Sequence, residues 1–466
     1  MESMTANWSY PGLIESLQRL VFFERATSHV LAGWIPKVPG FRLKLGMARH
    51  LWESMNRACK LREALMAMGP CEPGLLVVPE SWRSTIRTID ASPSPERVLS
   101  ALYFLLRPRL IKEYESVLRH ADDLLDEQLV CSISSYLPLA QAQLDWAREI
   151  LRPCPQDDIS YFSNLIGAVW NASFSLESVV PLGEAIPGPQ DRVPCAIRPN
   201  GLDRGEHGAM PLITSDSLQD PGGIGIFLHN NINEEYTTLE LVARNSYEHP
   251  DLPWAFHLSM ARQAADEARH ALILERLAAE YDVQYGQYPV YTSTYDMLYE
   301  FATCPQGSKR ELIWRLLIRS TYQEGLALDD LAYEIKKRRS LNQVNLARSF
   351  NYILKDELFH VKSGLKWSKF LCDEAGMDAM SERNLARDYF VSLENHARLQ
   401  FMVTHPDAAY AEAEQLKKIQ KSYALPFRRQ LEVKLRKEAG FSDDEVRQVM
   451  EWGIYSSEPT STPAQF

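Results

Sequence analysis

Asp266-Glu267-Ala268-Arg269-His270 and Asp356-Glu357-Leu358-Phe359-His360 are one five-residue phrase, D-E-x-x-H, written twice in the same chain. On an α-helix, residues i and i+3 share a face about 5–6 Å apart, so each phrase directs a carboxylate and an imidazole at one point. A single E-x-x-H carries little weight, because a surface Glu followed by a His in a satisfied pocket has the same spelling. Two copies can be tested. If they belong to four helices gathered around metal, each of the two remaining helices must supply a Glu at matching height.

Both tests are met. The midpoint between Glu324 and Glu357 falls at position 340.5, inside the polar break Arg338-Arg339-Ser340-Leu341-Asn342. Folding the chain back there brings the two carboxylates level. The midpoint between Glu235 and Glu267 is Asp251, in the turn-forming run His249-Pro250-Asp251-Leu252-Pro253. Glu240 mirrors onto position 262, about 7.5 Å too low at 1.5 Å per residue. Glu234 points about 100° away from Glu235, and Glu235 rather than Glu234 falls on the stripe Ile232, Leu239, Val242.

The other candidates also interrupt apolar stripes: Phe256, Met260, Glu267, His270, Leu274 in one helix; Ile313, Leu317, Glu324, Ala327, Leu331 in another; Phe350, Ile353, Glu357, His360 in the last. Charges of one sign on a buried stripe need compensation. Four carboxylates and two imidazoles match two divalent cations. These donors suit iron or manganese better than thiolate-seeking metals, although zinc accepts them too. Asp266 and Asp356 then acquire a task, each accepting the outer N–H of the metal-bound His on the opposite phrase.

Working outward, helix-like periodicity covers residues 12–178 (Leu13 to Val30, Leu45 to Met68, Pro95 to Ala121, Leu124 to Leu151). It returns at about 231–247, 254–281, 309–338, 342–374, 381–403, 408–438 and 443–453, and strand signals are nearly absent from that second half. The expected fold class is all-α. Between the helical halves, prolines and the run Gly222-Gly223-Ile224-Gly225 predict an irregular connector whose glycine spacing does not fit a phosphate loop. A net charge of −11 over 466 residues argues against a nucleic-acid backbone as partner. The N-terminus lacks the build of a secretory leader and no long apolar window follows, so the expectation is cytoplasmic and without a membrane. Seven scattered cysteines without a C-x-x-C pair offer no electron-transfer centre.

The doubled motif E-x(30–31)-D-E-x-x-H, from Glu235 and from Glu324, resembles the ferritin-like di-iron carboxylate superfamily over roughly residues 228–370. The stretch from Glu235 to His270 is similar to the tRNA-hydroxylase-related ferritin-like proteins. The paired D-E-x-x-H phrases are similar to p-aminobenzoate N-oxygenases and dimetal-carboxylate halogenases. The resemblance implies two irons, with Mn/Fe as an option, held by Glu235, Glu267, His270, Glu324, Glu357 and His360. It implies dioxygen as co-substrate, oxidation of a bound organic molecule, and an external electron donor. The chain departs from such relatives in two places: Ile353 stands where arylamine N-oxygenases carry an additional His, and Leu274 where a radical tyrosine of the ribonucleotide-reductase kind would stand.

The resulting expectation is a helical N-terminal domain (1–180), a Pro/Gly-rich connector (181–230), a ferritin-like four-helix bundle (231–375), a C-terminal helical extension (376–455) and a tail (456–466). The function expected is a non-haem di-iron oxygenase or oxidase acting in biosynthesis on a small or carrier-tethered substrate, by hydroxylation, N-oxygenation, desaturation or cleavage. A homodimer is compatible with this. The alternatives are a non-redox metal-binding or structural helical protein and, among enzymes, a dimetal-carboxylate halogenase or tRNA hydroxylase. Leu239, Gln263, Ser320, Thr321, Ala327 and Leu328 are candidates to line a substrate cavity. His50 with Glu53, and His249, His257, His396 and His405, are read as structural. The N-terminal helices are open to two readings, a second bundle without its metal site or a cap.

Overall fold

The computed structural model describes residues 10–68, 77–122, 124–172, 178–199, 202, 221–290, 292–404 and 431–450. The expected helix over 408–438 therefore lies mostly outside the described residues, as do His405, the side chain of His396 and the tail. The fold is all-α, and among the described residues the exceptions are two three-residue strands, β1 (Val77–Pro79) and β2 (Val179–Pro181), which pair antiparallel with Val78 opposite Val180. Among the described residues no helix is long and apolar enough to cross a membrane.

Two compact units divide the chain, one of residues 1–200 with 239–268, the other of residues 201–238 with 269–466. In the first, α1 (Tyr10–Trp34) packs along α2 (Phe41–Ala67). After α3 (Glu80–Asp90), α4 (Pro95–Ser100) continues through a π-helical turn, Ala101–Leu106, into α5 (Arg107–His120), which packs on α6 (Glu127–Ile150). Contacts of α2 with α6 and of α1 with α5 complete the group, and α7 (Gln156–Asn171) lies against the π turn. Leu20, Val21, Phe22 and Phe23 in α1 are all fully buried, so this helix is enclosed on every side there instead of showing one apolar stripe.

The long helices α8 (Pro221–Glu248) and α9 (Trp254–Ala279) each contribute to both units, the division passing between Thr238 and Leu239 and between Ala268 and Arg269. The second unit continues with α10 (Ser293–Tyr299) and with α11 (Lys309–Leu317), which passes through a π turn, Ile318–Gln323, into α12 (Glu324–Ser340). Then come α13 (Val344–Ala375), α14 (Ala379–Thr404), α15 (Val433–Ala439) and α16 (Asp443–Met450). The expected fold-back after Ser340 is a short turn, residues 341–343, in which Asn342 takes a left-handed φ of 55°. Gly376, at φ 65°, closes α13, where a Cβ would be strained.

The connector differs from expectation at its C-terminal end. The run Gly222-Gly223-Ile224-Gly225 is helical, because α8 starts at Pro221, whose fixed φ suits a first helical turn. A Cβ on Gly225 would lie 2.4 Å from Val283 Cγ2, so this glycine permits close packing instead of ending a helix.

Candidate metal centre

Helix α13 presents Glu357 and His360 one turn apart, with His360 Nδ1 2.9 Å from Glu357 Oε2. Helix α9 presents Glu267 and His270 at the same spacing. His270 Nδ1 lies 3.3 Å from Glu357 Oε1 and 3.5 Å from Glu235 Oε2 on α8. The two imidazole rings are 5.9 Å apart. Glu267, His270, Glu324, Glu357 and His360 are buried, and Glu235 is partly exposed.

Donor atoms of Glu235, Glu267, His270 and Glu357 lie within 4.8 Å of one another, and those of Glu267, Glu324, Glu357 and His360 do so as well. Glu267 and Glu357 belong to both groups; Glu235 with His270, and Glu324 with His360, belong to one each. The boundary between the units falls just after Ala268, but α9 is unbroken there, so the helix itself fixes Glu267 one turn before His270. All six residues expected from sequence are thus brought together.

Of the two aspartates, Asp356 accepts from both its expected partner and an unexpected one: His270 Nε2 is 3.2 Å away and Arg269 Nη2 2.6 Å. Burial works to raise the Asp356 pKa, but the hydrogen bond and charge of His270, with Arg269, hold it below the usual carboxylate value. Asp266 is buried with its Oδ2 3.6 Å from Arg262 Nε. Glu357 is fully enclosed, which opposes its ionisation, yet the charge of His360 and hydrogen bonds from His270 and His360 keep its pKa well below the ordinary value. The carboxylates that did not fit by spacing have other work. Glu240 is buried against Lys44 and Arg198, and Glu234 accepts from Thr294 Oγ1 at 3.2 Å.

Sequence reasoning does not reach the π turn or Arg319. Within the turn, Thr321 Oγ1 donates to Leu316 O at 3.1 Å, taking up a carbonyl from the preceding helix. The first residue after the turn is Glu324. Arg319 Nε stands 3.6 Å from Glu324 Oε1, and its guanidinium also meets Thr238 and Gln323. The polar pair Ser320-Thr321 inside an otherwise buried helix is the one trace of this feature in the sequence. The expected cavity-lining residues are mainly packed: Leu239, Gln263, Ser320, Thr321 and Leu328 are buried, Ala327 half-buried, and Gln263 Nε2 donates to Glu267 Oε1 at 3.1 Å. His50 is structural as expected, its Nδ1 2.7 Å from Tyr103 Oη.

No curated protein and no solved structure matches the chain. Residues 184–447, which span more than half of it and include all six residues of the candidate centre, match the model of a family described as a protein of unknown function, DUF455, and the chain belongs to that family.

Proposed function

We propose that this protein is a non-haem di-iron oxidoreductase that uses dioxygen to oxidise a small organic or carrier-tethered substrate, and that the helices bearing its six ligands form a ferritin-like four-helix bundle. The observation that carries this reading is the pair of four-residue donor groups interlocked through Glu267 and Glu357. Glu235 and His270 would hold one iron, Glu324 and His360 the other, and the two shared carboxylates both. The donor set fits: oxygen and imidazole ligands in a buried place, with carboxylates in excess over the cations the chain supplies nearby. Iron held by these residues would supply the one-electron chemistry that dioxygen activation needs.

The chain's own residues prepare the site. Asp356 accepts from His270 Nε2, which orients the ring with Nδ1 on the side of Glu235 and Glu357, where it would serve as the ligand atom. Gln263 orients Glu267 by donating to Oε1, and Arg319 offsets the charge of Glu324. Burial of Glu267, His270, Glu324, Glu357 and His360 keeps bulk water from these five ligands. An external donor supplies electrons.

The test is elemental analysis of protein purified without added metal, followed by oxygen uptake after anaerobic loading with ferrous iron. Two irons per chain and iron-dependent uptake that His360→Ala abolishes, with helix content kept, are expected. Zinc in the site together with refusal of iron would favour the non-redox alternative. Unchanged uptake in the His360→Ala variant would sink the ligand assignment.

A further inference from the structure

In the first unit, away from the ligands above, a buried cation and a buried imidazole stand together without an acid among the described residues. Arg25 and His29 lie one turn apart on α1, and Trp254 and His257 one turn apart at the start of α9. The Arg25 guanidinium stands 5.9 Å from the centroid of the Trp254 ring, and His29 stacks on Tyr247 with centroids 4.6 Å apart. Relative exposures are 2 % for Arg25 and 0 % for His29. Arg25 Nη1 and both ring nitrogens of His29 are buried without a hydrogen-bond partner among the described residues. His257 closes the group from the other helix, and it is held: its Nδ1 is 2.9 Å from Ser246 Oγ, and its ring also meets the backbone at Leu252 and Pro250.

The contrast with the other buried arginines decides what this means. Arg57 and Arg107 meet Glu24, Arg244 meets Glu248, Arg338 meets Glu334, and Arg436 meets Asp329. Among the described residues no carboxylate pairs with Arg25. The nearby group of opposite tendency is the Cys59 thiol, which burial pushes up to about 11, so it is neutral near pH 7. Arg25, lowered by burial to about 10, stays charged there. Burial, with the charges of Arg25 and Arg244, holds His29 well below its ordinary value, so its ring is neutral and keeps one N–H to donate. A buried cation without compensation is costly and is not left standing when an anion can reach it.

We propose that Arg25 and His29 form an internal binding site for one small monovalent anion, a halide or a carboxylate the size of formate. The donors match this class: one positive charge on a planar guanidinium and one imidazole N–H, with no carboxylate beside them. A dianion would be undercompensated by the single charge.

The experiment uses the full chain at constant ionic strength, with gluconate as the bulky reference anion replaced stepwise by chloride in one series and by formate in another. The thermal midpoint of the native sequence should rise saturably by a few degrees in at least one series. Arg25→Met should abolish that rise. Should Arg25→Met not fold, His29→Phe decides, because it keeps a ring stacked on Tyr247 while removing the donor. Its half-saturation concentration should rise about tenfold for one lost hydrogen bond. A flat native response in both series, a rise that persists in Arg25→Met, or an unmoved half-saturation in His29→Phe overturns the proposal.

Discussion

In the first unit Glu24 meets Arg57 Nε at 3.0 Å, and accepts as well from Arg107 Nη1 at 2.5 Å and Tyr114 Oη at 2.9 Å; at the candidate metal centre, carboxylates gather around two imidazoles. The mechanical setting is shared. In each unit a helix begins at a serine cap, runs into a π turn, and delivers a charged residue directly after it: Ser94, Ala101–Leu106 and Arg107 in one, Ser308, Ile318–Gln323 and Glu324 in the other. The charge delivered is opposite. Arg107 completes a centre in which two guanidiniums of the chain itself meet the one Glu24 carboxylate, whereas Glu324 joins other carboxylates in a group that could hold a metal ion. A built-in ion pair specifies packing; an excess of carboxylates leaves ligand capacity to be filled.

The sharpest way to break this comparison is to delete one carboxylate from each centre. Glu357→Ala should abolish iron binding, since Glu357 belongs to both donor groups. In the metal-free protein it also removes an acceptor of His270 and His360, and its cost there should stay below that of Glu24→Gln, which strands two buried guanidiniums. Iron stoichiometry after ferrous loading and thermal midpoints of the apoprotein read both effects. Retained iron in the Glu357→Ala variant would end the claim that the second centre is a metal site.

Glu24→Gln should do the reverse, leaving iron stoichiometry intact while costing about 3–5 kcal/mol, because Arg57 and Arg107 stay buried without their carboxylate. Acid sharpens the point. Burial opposes ionisation of Glu24, but Arg107 and Arg57 overcome it and lower its pKa from 4.5 to about 2. A depressed folded-state value means stabilisation that is complete above about 4.5 and lost as pH falls toward about 2. Urea unfolding of the native and Glu24→Gln proteins should therefore converge across that window. A stability difference independent of pH there would show that Glu24 acts by packing alone.

These two centres are not equally legible in the sequence. The metal-type centre is readable because its ligands repeat a local phrase and their partners mirror across turns at 249–253 and 341–343, so helical arithmetic reaches them. Glu24, Arg57 and Arg107 have no shared spacing; they come from three helices and are joined only by tertiary packing. Arg57 and Arg107 look like surface charges in a linear sequence, and nothing local says that α1 is enclosed on all sides. Glycine misleads for a related reason: Gly225 breaks an apolar pattern in sequence, while in the fold it admits Val283. The π turns escape because a period of 3.6 has no way to register one inserted residue.

A smaller effect probes how the second π turn is held. Gly364 of α13 stands where a Cβ would be 2.6 Å from Thr321 Oγ1 and 2.9 Å from Ser320 O. Backbone cannot yield as a side-chain tip can, so Gly364→Ala should push α13 and the turn apart, at about 1–3 kcal/mol for overpacking. Because Glu324 follows the turn directly, iron affinity should weaken as well. Global unfolding by denaturant and an iron titration measure the two consequences, and a loss of stability with unchanged affinity would detach the turn from the site.

The smallest effect tests whether the two settings are mechanically equivalent. Ser94 accepts from Arg97 N at 3.4 Å, and Ser308 from Glu311 N at 3.2 Å, while Glu311 Oε2 accepts in return from Gly307 N at 2.7 Å. Glu311 ties down the residue before the second cap, and the shorter Ser308 bond makes that cap the tighter of the two. Ser94→Ala and Ser308→Ala should each cost about 1 kcal/mol, with Ser308→Ala the costlier, and the double variant should lose their sum because the caps share no partners. If Ser308→Ala also loosens iron while Ser94→Ala does not, position along the helix is being transmitted through the π turn to Glu324. Equal and purely structural losses would mean that the turn absorbs the disturbance, and that the difference between the centres lies in their charges alone.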